Sequence, residues 1–139
     1  MNPNALEVKA QQRGWKVISE HDSAGPMFTL VRDDWEIWVA FAGDIPDSAT
    51  LRKPGTTEHR RLPLRDIGMW VRRDPHEMSR FAIGDHVTVA GRHGIVTDIR
   101  LGVSRLKKHA EKIRLVITYE DGGTGSPYSD QAARVMVKS

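Results

Sequence analysis

Two stretches of the chain gather basic side chains of the kind that bind phosphate. Residues 52–73 hold seven basic and two acidic residues and residues 100–114 hold six and one, so each stretch carries a net charge of +5, whereas residues 1–51 carry −4. Clustered Lys and Arg bind nucleic acids because each contact releases counterions condensed on the phosphates. A solvated surface is the alternative interpretation of both stretches. The candidate phosphate-binding residues are Arg52, Lys53, Arg60, Arg61, Arg65, Arg72, Arg73, Arg92, Arg100, Arg105, Lys107, Lys108 and Lys112.

Two aromatic residues are candidate anchors for a partner. Trp38 lies within an apolar run in which Trp35, Ile37, Val39 and Phe41 share one side of a predicted strand, so Trp38 falls on the other, polar side. An indole in that position can stack on a base or on a partner, or it can cover a helix or a neighbouring domain. Tyr128, in the second half, is the other candidate partner-binding residue.

Catalytic and metal-binding patterns are missing from the sequence. The chain has no cysteine and six scattered histidines, four of which stand next to an acidic residue, as His59 does beside Glu58. Such neighbours point in different directions on a strand or helix and do not share a proton. His86 and His93 flank a predicted turn, where the neighbouring Arg92 disfavours a cation. Since the chain also lacks a Walker loop, a dinucleotide fingerprint and a Gly-x-Ser-x-Gly motif, we expect a non-catalytic protein without metal or cofactor.

The elements of the first half follow from capping residues and alternation. Asn2, Pro3 and Asn4 favour a helix start, which predicts a helix over residues 3–13. Alternating apolar residues then predict three strands, at residues 15–20, 28–32 and 35–41. The composition of residues 43–62 is typical of a long loop, and Pro63 opens a second predicted helix that ends before Pro75. The first half is therefore predicted to be an α-β-β-β-α unit.

This order of elements is similar to the double-stranded-RNA-binding fold and to the HicA-type messenger-RNA interferase toxins built on it. The resemblance implies that basic residues at the start of the last helix contact phosphate, and Arg60, Arg61 and Arg65 stand at the matching place. The toxins carry a catalytic histidine at the start of the second strand, where this chain has Ala-Gly-Pro-Met-Phe at residues 24–28. Ribonuclease activity is therefore not expected from the resemblance.

The second half predicts a series of short strands. Gly84 and Asp85 turn the chain into a strand with Val87 and Val89 facing inward, and a tight turn follows at residues 91–94. The return strand alternates at Ile95, Thr97 and Ile99, and residues 113–119 predict a third strand. A turn at 120–123, a one-turn helix at 129–131 and a last strand at 134–137 complete the prediction. The basic residues 101–112 predict an exposed helical insertion.

The pattern G-D-x-V-x-V, then G-x-V, then V-x-Y-x-D-G resembles the small β-barrels of the Tudor and KOW type, with Src-homology-3-like architecture. The match covers about sixty residues. Proteins of that group are mostly binding modules for nucleic acid, ribosomal RNA, peptides or modified lysine. The resemblance therefore implies binding rather than catalysis and does not choose the ligand.

Length and hydropathy complete the prediction. With 139 residues the chain is large enough for two small domains, which we place at 1–75 and 79–139. No apolar run approaches the roughly 18 residues of a membrane-spanning helix, and the first twenty residues do not resemble a secretory signal, so a cytoplasmic location is expected. The predicted fold class is α+β, with an α-β-β-β-α unit followed by a small Src-homology-3-like barrel.

These observations lead to three functional hypotheses. The first is a non-catalytic binding protein that contacts DNA or RNA through the two basic stretches and does not bind membranes. The alternative is a protein-interaction or inhibitory module, of the kind found in bacterial or phage accessory proteins, that docks onto an acidic partner protein. The third is a degraded nuclease of the toxin type.

Overall fold

The computed structural model describes residues 1–102 and 112–135. Helices and two antiparallel sheets give the α+β class that the sequence predicts. The chain divides into two compact units, Met1–Arg72 and Arg73–Ser139, which we call the first and second units.

The first unit begins with helix α1, Pro3–Gln12. The side chain of Asn2 caps it by accepting a hydrogen bond from the backbone nitrogen of Ala5 at 2.8 Å, and Pro3 occupies the first turn. Leu6 and Ala10, one turn apart, are fully buried. The apolar side of this short helix therefore packs into the core of the unit.

A five-stranded antiparallel sheet with its strands in chain order follows the helix. On β3, the side chains of Trp35, Ile37, Val39 and Phe41 are buried and Trp38 is exposed, which confirms the predicted core side of this strand. Buried and accessible residues alternate along β3 because one face of the sheet packs against helices and the other, among the described residues, does not. The strands are β1 (Lys16–His21), β2 (Pro26–Arg32), β3 (Trp35–Ala42), β4 (Ile45–Arg52) and β5 (Arg60–Arg61).

The prediction of a loop over residues 43–62 is wrong, because this segment contains β4 and β5. The sequence of β4 has weak strand propensity, with Pro46 and Asp47 in it and only Ala49 and Leu51 turned to the core. Pairing with β3 along nearly its whole length overrides that propensity. Pro46 is tolerated because β5 pairs only with Thr50 and Leu51, so this end of β4 is an edge.

The second predicted helix is also shorter than expected. A one-turn 3-10 helix, Leu64–Asp66, leads into the five-residue helix α2, Ile67–Val71. The Trp70 ring packs against Trp35 at a tilt of 36°, with centroids 5.0 Å apart, and the indole nitrogen of Trp15 donates to the Val71 carbonyl at 2.8 Å. The first unit is thus a helix, five strands and a short helical segment rather than α-β-β-β-α, and α2 packs on the Trp35 face of the sheet.

The second unit is built around another five-stranded antiparallel sheet, in the order β10-β6-β7-β8-β9. Helix α3, Pro75–Met78, precedes it, and a 3-10 helix, Ser129–Gln131, lies where the sequence predicts a one-turn helix. The strands are β6 (His86–Val89), β7 (Arg92–Leu101), β8 (Ile113–Tyr119), β9 (Thr124–Gly125) and β10 (Ala133–Arg134). The last strand thus starts one residue before the predicted 134–137, whose final residues lie outside the described part.

A β-bulge corrects the predicted alternation of the return strand β7. The pairing with β8 shifts between Val96 and Asp98, so Val96 and Ile99 are both buried while Ile95 stays exposed. Most of the predicted helical insertion, residues 103–111, lies outside the described ranges. At its base, the Gly102 nitrogen donates to the Lys112 carbonyl at 3.0 Å.

Candidate functional site

The face of the first sheet that points away from α2 carries three rows of side chains across the strands. Residues directly opposite each other on paired antiparallel strands project from the same face, so the register defines the rows. The middle row is Ile18, Thr29, Trp38, Thr50 and Arg61. The flanking rows are Lys16, Val31, Glu36 and Arg52 on one side, and Glu20, Met27, Ala40 and Ser48 on the other. We call these thirteen residues the open face.

Apolar side chains are unusually accessible on the open face. Trp38 is 45% exposed, Ile18 43% and Met27 39%. Beside Trp38 lies a groove of about 320 Å³, lined chiefly by Met27, Thr29, Ala40 and Thr50 together with the indole itself. Trp38 and Met27 line this groove, and Ile18 lies outside it in the same row as Trp38, so the three exposed apolar side chains share one face of the sheet.

The indole of Trp38 is held in place by its neighbours, a group we call the Trp38 cluster. The ring of His59 stacks on the indole with centroids 3.7 Å apart, and the indole nitrogen donates to Glu36 Oε1 at 3.0 Å. Arg52 Nε donates to Glu36 Oε2 at 3.1 Å. His59 lies 3.4 Å from the same oxygen and hydrogen-bonds Thr50 at 3.2 Å. The exposed ring is therefore already fixed in one orientation before any ligand binds.

The Glu36 carboxylate is the electrostatic centre of the Trp38 cluster. Partial burial raises its pKa, but the hydrogen bonds from Trp38 and Arg52 and the charges of His59 and Arg52 outweigh burial, so the net pKa lies below the ordinary value. Glu36 is therefore ionised at neutral pH and offsets the Arg52 charge. Arg61, in the middle row, has no ion pair among the described residues that would offset its charge.

The predicted phosphate-binding residues within 52–73 fall into two groups. Arg61, Arg65 and Arg72 are exposed and form no ion pair within the described ranges. The other residues are engaged or covered. Arg52 pairs with Glu36, Arg60 pairs with Glu58 at 3.2 Å, Lys53 lies 5.9 Å from the Trp70 ring and Arg73 is only 3% exposed.

The described basic candidates between residues 92 and 112 are paired with acids. Arg92 makes a bidentate ion pair with Asp121, with hydrogen bonds of 2.7 and 3.0 Å. Its guanidinium lies 3.9 Å from the centre of the Tyr119 ring. The hydrogen bond from Arg92 lowers the pKa of Asp121. The remaining pairs are Arg100 with Asp98 and Lys112 with Asp130. Arg105, Lys107 and Lys108 lie outside the described residues.

Tyr128, the second candidate anchor, is half-buried rather than freely presented. The Arg114 guanidinium lies 4.8 Å from its ring, and the two residues form an isolated bridge between backbones. Its ring also lies against Gly102, where an added Cβ would come within 3.1 Å of it. These contacts give Tyr128 a packing role at the base of the insertion.

Sequence reasoning missed His59 and the apolar residues Ile18 and Met27. In the sequence His59 stands next to Glu58, with which it does not share a proton, whereas in the structure His59 is the stacking neighbour of Trp38. A strand prediction for residues 45–52 would have brought Thr50 beside Trp38 and His59 close to both.

Within the described ranges, no three His, Asp or Glu side chains come together as a metal site would require. None of the helices described is both long and apolar enough to cross a membrane. A scan against models of protein families, a search of curated proteins and a search of solved structures gave no match to this chain.

Proposed function

We propose that the protein binds nucleic acid and acts by binding rather than by catalysis. The observation that carries the proposal is that Arg61, Arg65 and Arg72 are exposed and form no ion pair with any described residue, together with the place of Arg61 in the same row as Trp38. Cations that are not neutralised within the protein remain available to replace the counterions of a polyanion. Arg105, Lys107 and Lys108 stay candidates from the sequence.

For the second unit we propose a small Src-homology-3-like barrel that supports binding. Two features favour it: the first and last strands of the unit, β6 and β10, pair with each other, and a 3-10 helix directly precedes the last strand. Because Arg92, Arg100 and Lys112 are engaged with acids, we assign this unit a smaller share of phosphate binding than the sequence predicts.

Docking of an acidic protein is the second candidate function. The observation that favours it is the accessible apolar group of Ile18, Met27 and Trp38, since exposed aromatic anchors beside a groove also occur at protein interfaces. Basic residues nearby would then steer an acidic partner rather than bind phosphate.

Fluorescence anisotropy of the full chain with labelled duplex DNA, duplex RNA and single-stranded RNA, at several salt concentrations, tests the proposal. We expect affinity for at least one nucleic acid to fall steeply with salt. The variant R61Q/R65Q should reduce the slope of log affinity against log salt by about 1.4 to 1.8, at about 0.7 to 0.9 per lost contact. The matched control K9Q/R13Q removes two exposed charges from α1 and the residue that follows it, and should leave the slope unchanged. Absence of binding to every nucleic acid at low salt would refute the proposal.

A further inference from the structure

We infer that the open face is a stacking platform for single-stranded nucleic acid, with Trp38 as the ring on which an unpaired base stacks. The inference rests on the proposed function and deepens it by naming the site and the class of ligand.

Trp38 differs from the other tryptophans of the chain in its surroundings. Trp15, Trp35 and Trp70 are at most 4% exposed and pack in the core of the first unit, whereas Trp38 is 45% exposed. Hydrogen bonding to Glu36 and stacking on His59 hold the indole still. A fixed aromatic surface binds a flat ring at low entropic cost, because little side-chain freedom is lost.

The groove beside Trp38 provides the space for a base. His59 stacks on the indole and is absent from the groove lining, which includes Met27 and Ala40 of the row next to Trp38. A base that enters the groove therefore meets the indole surface that His59 leaves open. Thr29, Ser48 and Thr50 line the same groove and provide hydroxyls to the edge of the base.

Cations stand where the phosphates of such a strand would pass. Arg61 is two strands from Trp38 in the middle row, a separation of about 10 Å at the usual strand spacing. Lys16 and Arg52 belong to the neighbouring row. The Arg52 charge is offset by Glu36, so Arg61 and Lys16 supply most of the attraction. An exposed aromatic ring with cations nearby on one face of the sheet fits a single-stranded nucleic acid, whose bases are unpaired.

A duplex suits the open face less well, because its bases are stacked on each other and their flat surfaces are covered. Stacking on an aromatic side chain is available to bases of single strands and loops. We therefore expect single strands to bind more tightly than duplexes of the same length, and the preference to depend on Trp38.

Anisotropy with a labelled oligo-U or oligo-dT of about ten nucleotides, within the footprint of small single-strand-binding sites, tests the inference. W38A should weaken binding about 5- to 100-fold, the effect of losing one stacked base. H59A should weaken it by a smaller factor, because the indole stays but is no longer held. The control is L64A, which removes a similarly exposed apolar side chain, 43%, from the 3-10 helix outside the sheet. It should bind as the native chain does.

The outcomes separate the inference from the proposed function. If R61Q/R65Q weakens binding but W38A and H59A bind like L64A, the protein binds nucleic acid and the stacking platform is refuted. Equal or tighter binding of duplex also refutes it. If no nucleic acid binds at low salt, the proposed function fails with it, and capture of a protein partner that W38A abolishes would assign the open face to protein docking. Thermal unfolding of each variant confirms that it is folded.

Discussion

Arg92 of the second unit and Arg61 of the first unit have opposite surroundings. In the second unit, Arg92 lies over Tyr119 and is neutralised by Asp121, so the cation stabilises the fold around a buried ring. In the first unit, Arg61 shares a row with the exposed Trp38 and has no ion pair among the described residues. A count of charges along the sequence gives both stretches the same value of +5. Among the described residues, Arg92, Arg100 and Lys112 are paired with acids, whereas Arg61 is not, a difference that the charge count does not reveal.

The largest expected effect is a difference in stability between two variants on opposite faces of β3. W35A removes a buried ring that packs against Trp70 and should lower the free energy of unfolding by about 3 to 5 kcal/mol. W38A removes a half-exposed ring and should cost about 1 kcal/mol or less. Chemical denaturation of both variants measures the contrast. Equal losses would mean that Trp38 is a core residue and is not available to a ligand.

The next effect compares the cations of the two units directly. R92Q/R100Q removes two exposed charges that are paired with acids. R61Q/R65Q removes two exposed charges that form no ion pair among the described residues. Both variants change the net charge by the same amount. We expect R61Q/R65Q to lower the salt slope of nucleic-acid binding by about 1.4 to 1.8 and R92Q/R100Q to lower it much less. If the reverse is found, phosphate binding belongs to the second unit.

A pH titration tests whether the ionised Glu36 carboxylate holds the Trp38 ring in place. Because the pKa of Glu36 is lowered on folding, its contribution to stability is fully present above the ordinary value of 4.5 and is lost as the pH falls through the lowered value. The exposure of Trp38, measured by fluorescence quenching with W38F as the blank, should stay constant above pH 4.5 and increase below it. In E36Q this increase should disappear. The same increase in E36Q would show that another group controls the ring.

The smallest effect is expected for the ion pair of the second unit. R92A removes an exposed ion pair and a contact with the Tyr119 ring, and exposed pairs of this kind contribute little because water and salt screen them. We expect a small loss of thermal stability and little change in nucleic-acid affinity. A large loss of affinity would place Arg92 in the binding surface and break the contrast between the units.

The sequence predicts those parts of the fold in which local pattern and tertiary packing agree. Alternation along β3 correctly turned Trp35 to the core and Trp38 to the other side, and Asn2 and Pro3 marked the start of α1. β4 escaped prediction because its composition is that of a loop and only its pairing with β3 makes it a strand. The bulge at Val96 likewise depends on the partner strand.

The candidate site was predictable only in part, for the same reason. Trp38 and Arg61 were candidates from the sequence, but their common row exists because β4 and β5 extend the sheet. His59 reaches Trp38 only through that extension. Ion pairs such as Arg92 with Asp121 join residues far apart in sequence, so a charge count could not show that these cations are neutralised.

Intrinsic tryptophan fluorescence of the full chain, titrated with unlabelled oligo-dT, tests the central claim most directly. Trp38 alone among the four tryptophans is exposed, so a base stacked on it should quench part of the emission. We predict saturable quenching in the native chain and none in W38F, with the other three tryptophans unaffected. Binding of the oligonucleotide without quenching, or the same quenching in W38F, would contradict the stacking of a base on Trp38.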